Sequence, residues 1–262
     1  VSFAPALTAS GPNTITLANS ELSITRSLTI SGPGASLLAI SGNDSTRLFS
    51  IANSATVAIS GLTLRNGYGN YHIGAIENQG TLALSNSSLV YNRANDRYGA
   101  IYNKGVLSVT ASTIAFNQAN VFGSGITNEG VATLIDSTVM SNTTLNGMAG
   151  GVYNKGTLTV INSTIAGNSA ERGEGGGIYN DRNGVLSLLN STIAGNTARN
   201  GGVYNMSSAT LSYTNTIIAG TITSAYGGAD CKNDGVMGSN SSNLVQDGSC
   251  SAALSGDPLL AP

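Results

Sequence analysis

Histidine occurs once, as His72 in GNYHIGA, and tryptophan not at all. One imidazole leaves no material for a histidine-built metal centre or a Ser-His-Asp triad, so His72 is expected in a surface loop. Lysine is confined to Lys104, Lys155 and Lys232, and charged residues make up 9% of the chain, against roughly 25% in ordinary globular proteins. The formal net charge is −2, which supplies no basic field for nucleic acid and no acidic tail. No run approaches the roughly 18 consecutive apolar residues of a membrane helix. The opening VSFAPALTAS lacks the basic start and apolar run of a signal peptide and fits a mature or excised segment.

Acidic residues are scattered singly between Glu21 and Asp257, without a recurring pair on one strand. A β-helix hydrolase needs a carboxylate cluster, and a lyase needs a base beside a charge neutraliser. No catalytic residue, metal ligand set or cofactor site is expected. Lys104 beside Tyr102, or Lys155 beside Tyr153, could imitate a lyase pair, but both belong to a repeat. The only cysteines, Cys231 and Cys250, lie close together near the C-terminus. Such a pair suggests one disulfide, with two free thiols as the alternative, and a bridge favours an exported protein.

What is abundant is repetition. GGVYNKGTLTVINSTIAGNSA, from Gly150, returns as GGGIYNDRNGVLSLLNSTIAGNTA, with looser copies on either side. Asn78, Asn103, Asn128, Asn154, Asn180 and Asn205 recur every 25 or 26 residues, and a second series holds Asn92, Asn117, Asn142, Asn168 and Asn196. Apolar residues alternate with small polar ones, as in a strand. Leu82 and Leu84 match Leu107 and Val109, Ala132 and Leu134, Leu158 and Val160, and Leu186 and Leu188. A polar bend follows at Asn86, Ala111, Asp136, Asn162 and Asn190, residues suited for the most part to left-handed backbone.

Each unit reads as three short strands, two tight corners and a variable loop. No unit can bury its apolar face alone, so the units must stack as coils. The expected fold is all-β, a right-handed parallel β-helix of roughly ten coils of about 25 residues, near 50 Å long. It is a single domain over 1–262, with irregular coils over 1–73, regular repeats over 74–220 and C-terminal coils over 221–262. Columns of asparagine would bond corner amides and each other, and glycine before each inward Ile or Val would supply positive φ.

The GGVYN…GTLTV.NSTIAGN pattern resembles the repeats of bacterial right-handed β-helix surface proteins, including polymorphic outer-membrane proteins with GGAI and FxxN motifs. The Phe of FxxN is replaced by Leu89, Ile114, Val139, Ile165 and Ile193. TITLANSELSITRSLTISGPGASLLAISG and the ending NTIIAG…DC…SNLVQDGSC…GDPLLAP are similar to the terminal coils of secreted bacterial β-helix proteins. The resemblance implies an extracellular or cell-surface location and an adhesive or structural role. Partners would be cell-surface glycans or further copies of the chain. Some β-helices are polysaccharide lyases or hydrolases, which is the alternative.

Tyr102, Tyr153, Tyr179 and Tyr204 precede ladder asparagines and are expected to point outward, with Thr127 interrupting the file. Aligned exposed rings could stack on sugars, or simply shield the sheet. Gln79, Lys104, Glu129 and Lys155, with Asp181 nearby, form a charge column expected to pin register by weak attraction. Thr113, Thr138, Thr164 and Thr192 form an outward hydroxyl column without a flat double row. NST triplets at Asn162 and Asn190 match glycosylation acceptors but also suit corners. No amphipathic helix covers either end, and Tyr98, Phe122, Leu145 and Met148 offer a lateral contact strip, which together suit either head-to-tail assembly or a segment capped by further coils of a longer surface protein.

Overall fold

The computed structural model describes residues 1–18, 20–70, 73–223 and 228–260, the side chain of Glu171 excepted. His72 lies outside the described residues. In Thr157–Ile161, Leu158 and Val160 are fully buried while Thr157, Thr159 and Ile161 face out, the alternation read from the repeat. Their counterparts stand one coil apart in register. Leu82, Leu107, Ala132, Leu158, Leu186 and Leu211 pair in a single vertical file. The chain is an all-β parallel β-solenoid of about nine turns.

Among the described residues four parallel sheets run along it, with ten, nine, seven and nine strands. One coil shows the plan: Ile101–Asn103 carries the first asparagine, Val106–Thr110 is the long strand, Thr113–Ala115 follows a corner, and Gln118–Ala119 closes the circuit. The seven-stranded sheet, built from pieces such as Gln118–Ala119 and Thr143–Thr144, was not expected. It lies inside the variable loop, and its shortest strands turn a single small residue inward (Ala94, Ala119 or Thr144), too little to show a period. One contiguous apolar core runs from Leu17 to Val245. Among the described residues no helix is long and apolar enough to cross a membrane.

The predicted corner is left-handed throughout, with φ of 47° at Asn86, 46° at Ala111, 50° at Asp136, 49° at Asn162 and 50° at Asn190. A second left-handed column follows the next strand, at Asn66, Tyr91, Phe116, Ser141, Gly167, Gly195 and Gly220. Left-handed backbone costs about 1–2 kcal/mol for a residue with a Cβ, so two aromatics there are out of place.

The glycines before the inward Ile and Val serve another purpose than the one expected. Gly151 and Gly177 do not have positive φ. A Cβ on Gly151 would lie 2.5 Å from the carbonyl oxygen of Gly177 in the next coil. Close approach of backbones, not handedness, requires glycine there. Gly195 is the opposite case, with φ of 59° and open space where a Cβ would go.

Both ends carry some folded chain beside edge strands that stay partly open. At the N-terminus Ser2 bridges Ser31, and Phe3 and Leu7 pack on the core. At the other end Cys231 is bonded to Cys250, Leu254 bridges Leu244, and Cys250 and Ala252 pack on the core. These segments combine irregular chain with single 3-10 turns at Pro5–Leu7 and Ser249–Ser251, so they leave no periodic signal.

Gly151→Ala is expected to lower stability by at least about 2 kcal/mol through the backbone clash, whereas Gly195→Ala should cost only about 1 kcal/mol. Urea unfolding of the two variants tests the difference, and equal losses would refute the distinction.

Candidate functional site

The asparagines form the most continuous polar feature. Nδ2 of Asn78, Asn103, Asn128, Asn154 and Asn180 each donates to Oδ1 of the next, at 2.7, 2.8, 2.8, 2.7 and 2.7 Å. Asn205 extends the file to Asn233 at 2.6 Å, a rung absent from the sequence reading because CKN lacks the glycine signature. Each Nδ2 also reaches a backbone carbonyl across the corner, as from Asn103 to Val131 O at 3.1 Å. The file begins abruptly: Ile51 underlies Asn78, whose buried Oδ1 has no donor.

The second series is ladder-bonded as well, from Asn92 through Asn117, Asn142 and Asn168 to Asn196, at 2.9–3.0 Å. A third column went unread. The buried serines of the NST-like triplets, Ser112, Ser137, Ser163 and Ser191, each accept from the backbone amide of the serine one coil earlier, starting with Ser87. Asn162 and Asn190 of those triplets are the exposed left-handed corners.

The tyrosines leave the sheet on its outer side, but their faces are not open. Tyr102, Tyr153, Tyr179 and Tyr204 are 6%, 8%, 1% and 7% exposed, which fits rings that shield the sheet rather than rings open for sugar stacking. Loop residues fold over them. Tyr98 stacks on Tyr102 at 4.0 Å, and Phe122 lies 4.7 Å from Tyr153. Tyr153 and Tyr179 are 5.5 Å apart, and Tyr179 and Tyr204 5.3 Å. In the coil where Thr127 replaces tyrosine, Phe122 supplies the ring from the loop. Tyr98, Phe122 and Met148, expected to form a lateral strip, therefore turn onto this stack, and only Leu145 remains exposed.

The charge column behaves differently from the expected ion pairs. None of Lys104, Glu129, Lys155 and Asp181 is found in a salt bridge among the described residues. Instead the Tyr102 hydroxyl donates to Glu129 at 2.8 Å, that of Tyr153 to Asp181 at 2.6 Å and that of Tyr204 to Asp234 at 2.6 Å. Lys104 lies 5.0 Å from the Tyr102 ring centroid. A buried phenol needs an acceptor more than an exposed ammonium needs a partner. The signal was legible: an acid directly after a ladder asparagine (Glu129, Asp181, Asp234) follows a coil with tyrosine directly before its own.

Burial and then the carboxylate bonds push the Tyr102, Tyr153 and Tyr204 hydroxyls far above the usual phenol range. Burial, with the nearby charges of Asp181 and Glu174, pushes Tyr179 up to about 12. A phenol so held is a poor lyase base at neutral pH.

Thr113, Thr138, Thr164 and Thr192 stand in register and half-buried. Near the C-terminus, Asp230 and Asp247 each accept the other's backbone amide. Burial raises the Asp247 carboxyl, but bonds from the Ser249 hydroxyl and amide and from Asp230 together bring it below its usual value. Among the described residues no three His, Cys, Asp or Glu side chains come together as a metal site.

One surface depression of about 240 Å³ lies on this face, among Arg47, Glu77, Arg97, Tyr98, Tyr102 and Lys104, and larger ones lie elsewhere. One of about 390 Å³ opens at the N-terminal end among Leu22, Ile24, Leu28 and Ile30. Another, about 430 Å³, lies between an Ala/Gly corner and the tail residues Asp257, Pro258 and Leu260. A third, about 410 Å³, is walled by Tyr91 and Phe116, which the sequence reading did not single out. No family model, curated protein or solved structure matches the chain.

Replacing Asn128 by alanine leaves the buried Asn154 Oδ1 without its donor and interrupts the file. A loss of about 3 kcal/mol is expected, against about 1 kcal/mol for Asn233→Ala at the half-buried end. Equal losses in chemical denaturation would show that the file adds nothing beyond its separate rungs.

The buried phenols have pKa values above the unfolded value near 10. Their contribution to stability is therefore complete below pH 10 and is lost as pH rises through the folded values. Absorbance titration of the ten tyrosines should show a late group that ionises only with unfolding. A single transition near pH 10 with the fold intact would contradict the burial.

Proposed function

We propose that the chain is a non-enzymatic structural module of an extracellular surface or adhesive protein, a stiff solenoid whose working surface is its flank. The observation that carries this reading is the asparagine file from Asn78 to Asn233. It commits the polar side chain buried at each of these corners to holding one coil on the next. The tyrosine and carboxylate columns, the best candidates for a sugar-processing face, are likewise committed to internal packing and hydrogen bonds. The Cys231–Cys250 bridge fits an oxidising compartment. The motif resemblance to bacterial surface repeats supports the adhesive role.

The test combines location and turnover. In the source organism, antibody against the chain should label intact, unpermeabilised cells, and thiol alkylation should find Cys231 and Cys250 oxidised. Purified protein should release no product from a panel of neutral and anionic polysaccharides. A cytosolic protein with both thiols free, or turnover abolished by Tyr153→Phe or Lys155→Ala, would sink the reading.

A further inference from the structure

Tyr91 and Phe116 occupy equivalent corners of successive coils, directly after the strands Ser88–Val90 and Thr113–Ala115. Both have φ of 56°, in a column that elsewhere uses Asn66, Ser141, Gly167, Gly195 and Gly220. Asparagine, serine and glycine suit left-handed backbone, whereas bulky aromatics do not. Nor does burial offset the strain, because Tyr91 is 57% exposed and Phe116 48%. Strain kept at an exposed position is the pattern that points to function.

The two rings are offset-stacked, with centroids 5.3 Å apart and planes 11° from parallel. They wall the 410 Å³ depression, whose other side chains include Asp44, Asn66, Arg93, Gln118 and Thr143. Beyond Phe116 the column empties. Ser141 comes next, and at Gly167 the only atom within 4 Å of a Cβ position is Ser141 Oγ at 3.8 Å. At Gly195 there is nothing within that distance. The corner therefore stays uncovered at Gly167 and Gly195, and a separate depression of about 430 Å³ lies over Gly167, Gly195 and Gly220 beside the tail at Asp257.

We propose that Tyr91 and Phe116 form the aromatic anchor of a carbohydrate-binding site that takes a pyranose oligosaccharide in the depression they wall. The rings cover each other on their facing sides, so the C–H face of a sugar ring lies on a face that the stacked pair leaves open. Its hydroxyls bond to Asp44, Asn66, Arg93, Gln118 and Thr143, which supply both donors and acceptors. A protein partner fits less well. A stable interface covers about 800 Å² on each side around an apolar centre, and here the apolar part is two rings. The proposal deepens the adhesive part of the function above and rests on it only for the source of the glycan.

The experiment is calorimetric titration of the full chain with maltohexaose, cellohexaose and chitohexaose, repeated on the double variant Tyr91→Asn/Phe116→Asn. At least one sugar is expected to bind, with affinity falling at least tenfold in the variant and unchanged in Tyr153→Phe. The variant should melt at or above the temperature of the parent, since asparagine relieves the backbone. Three outcomes would overturn the site: none of the sugars binds, the double variant binds equally well, or it melts far below the parent and so reveals a structural pair. Sedimentation showing dimers that the double variant abolishes would overturn it in favour of self-association. Each failure leaves cell-surface labelling and the absence of turnover untouched, so the structural reading stands or falls separately.

Discussion

Everything in this molecule depends on like side chains lying directly over one another from coil to coil. The contact that most requires it is the buried amide of one asparagine donating to the amide oxygen of the next, at 2.6–2.8 Å. Such a bond forms only if successive backbones keep one spacing and one register, since a shift of a single residue would turn every inward leucine outward. That demand explains why glycine stands where backbones nearly touch. It also explains why the change from 25 to 26 residues per repeat falls in the loops. With so few charges, the chain draws its cohesion from neutral amides, hydroxyls and hydrocarbon.

The aromatic column follows the same rule with more latitude. Its rings come from the sheet at Tyr102, Tyr153, Tyr179 and Tyr204, and from the loops at Tyr98 and Phe122. What is preserved is a ring at each level, not a residue at each position. The hydroxyls then find carboxylates one coil on, which converts apparent surface charges into acceptors for buried phenols. The rings of this face are thereby largely covered, and the exposed aromatic pair lies at the corner carrying Tyr91 and Phe116.

Much of this was legible in the sequence, and the gaps have physical causes. The period of the asparagines fixed their vertical files, the leucine alternation fixed the inward face, and Asn86 to Asn190 marked the left-handed corners. The seventh ladder rung at Asn233 was missed because irregular neighbours surround it. The fourth sheet was missed because Gln118–Ala119 is too short to alternate. Outward direction was inferred correctly for Tyr153, but exposure was not, since direction belongs to the strand and cover belongs to a loop folding from elsewhere. Tyr91 and Phe116 sit one residue beyond the regular pattern, at positions where an alignment on asparagine ignores identity.

The broken lower end of the main ladder has a further consequence. Asn78 turns an unmatched acceptor toward the hydrocarbon of Ile51, so the coils below it are tied to the rest without an asparagine rung of this file, by sheet pairing, apolar packing and Arg47, which joins Glu21 to Glu77. Local opening can free those first windings without severing a single rung, and must then stop where the amides begin. The solenoid thus carries a built-in seam, a shallow outer layer of protection against solvent exchange resting on a deeper, uniformly slow trunk.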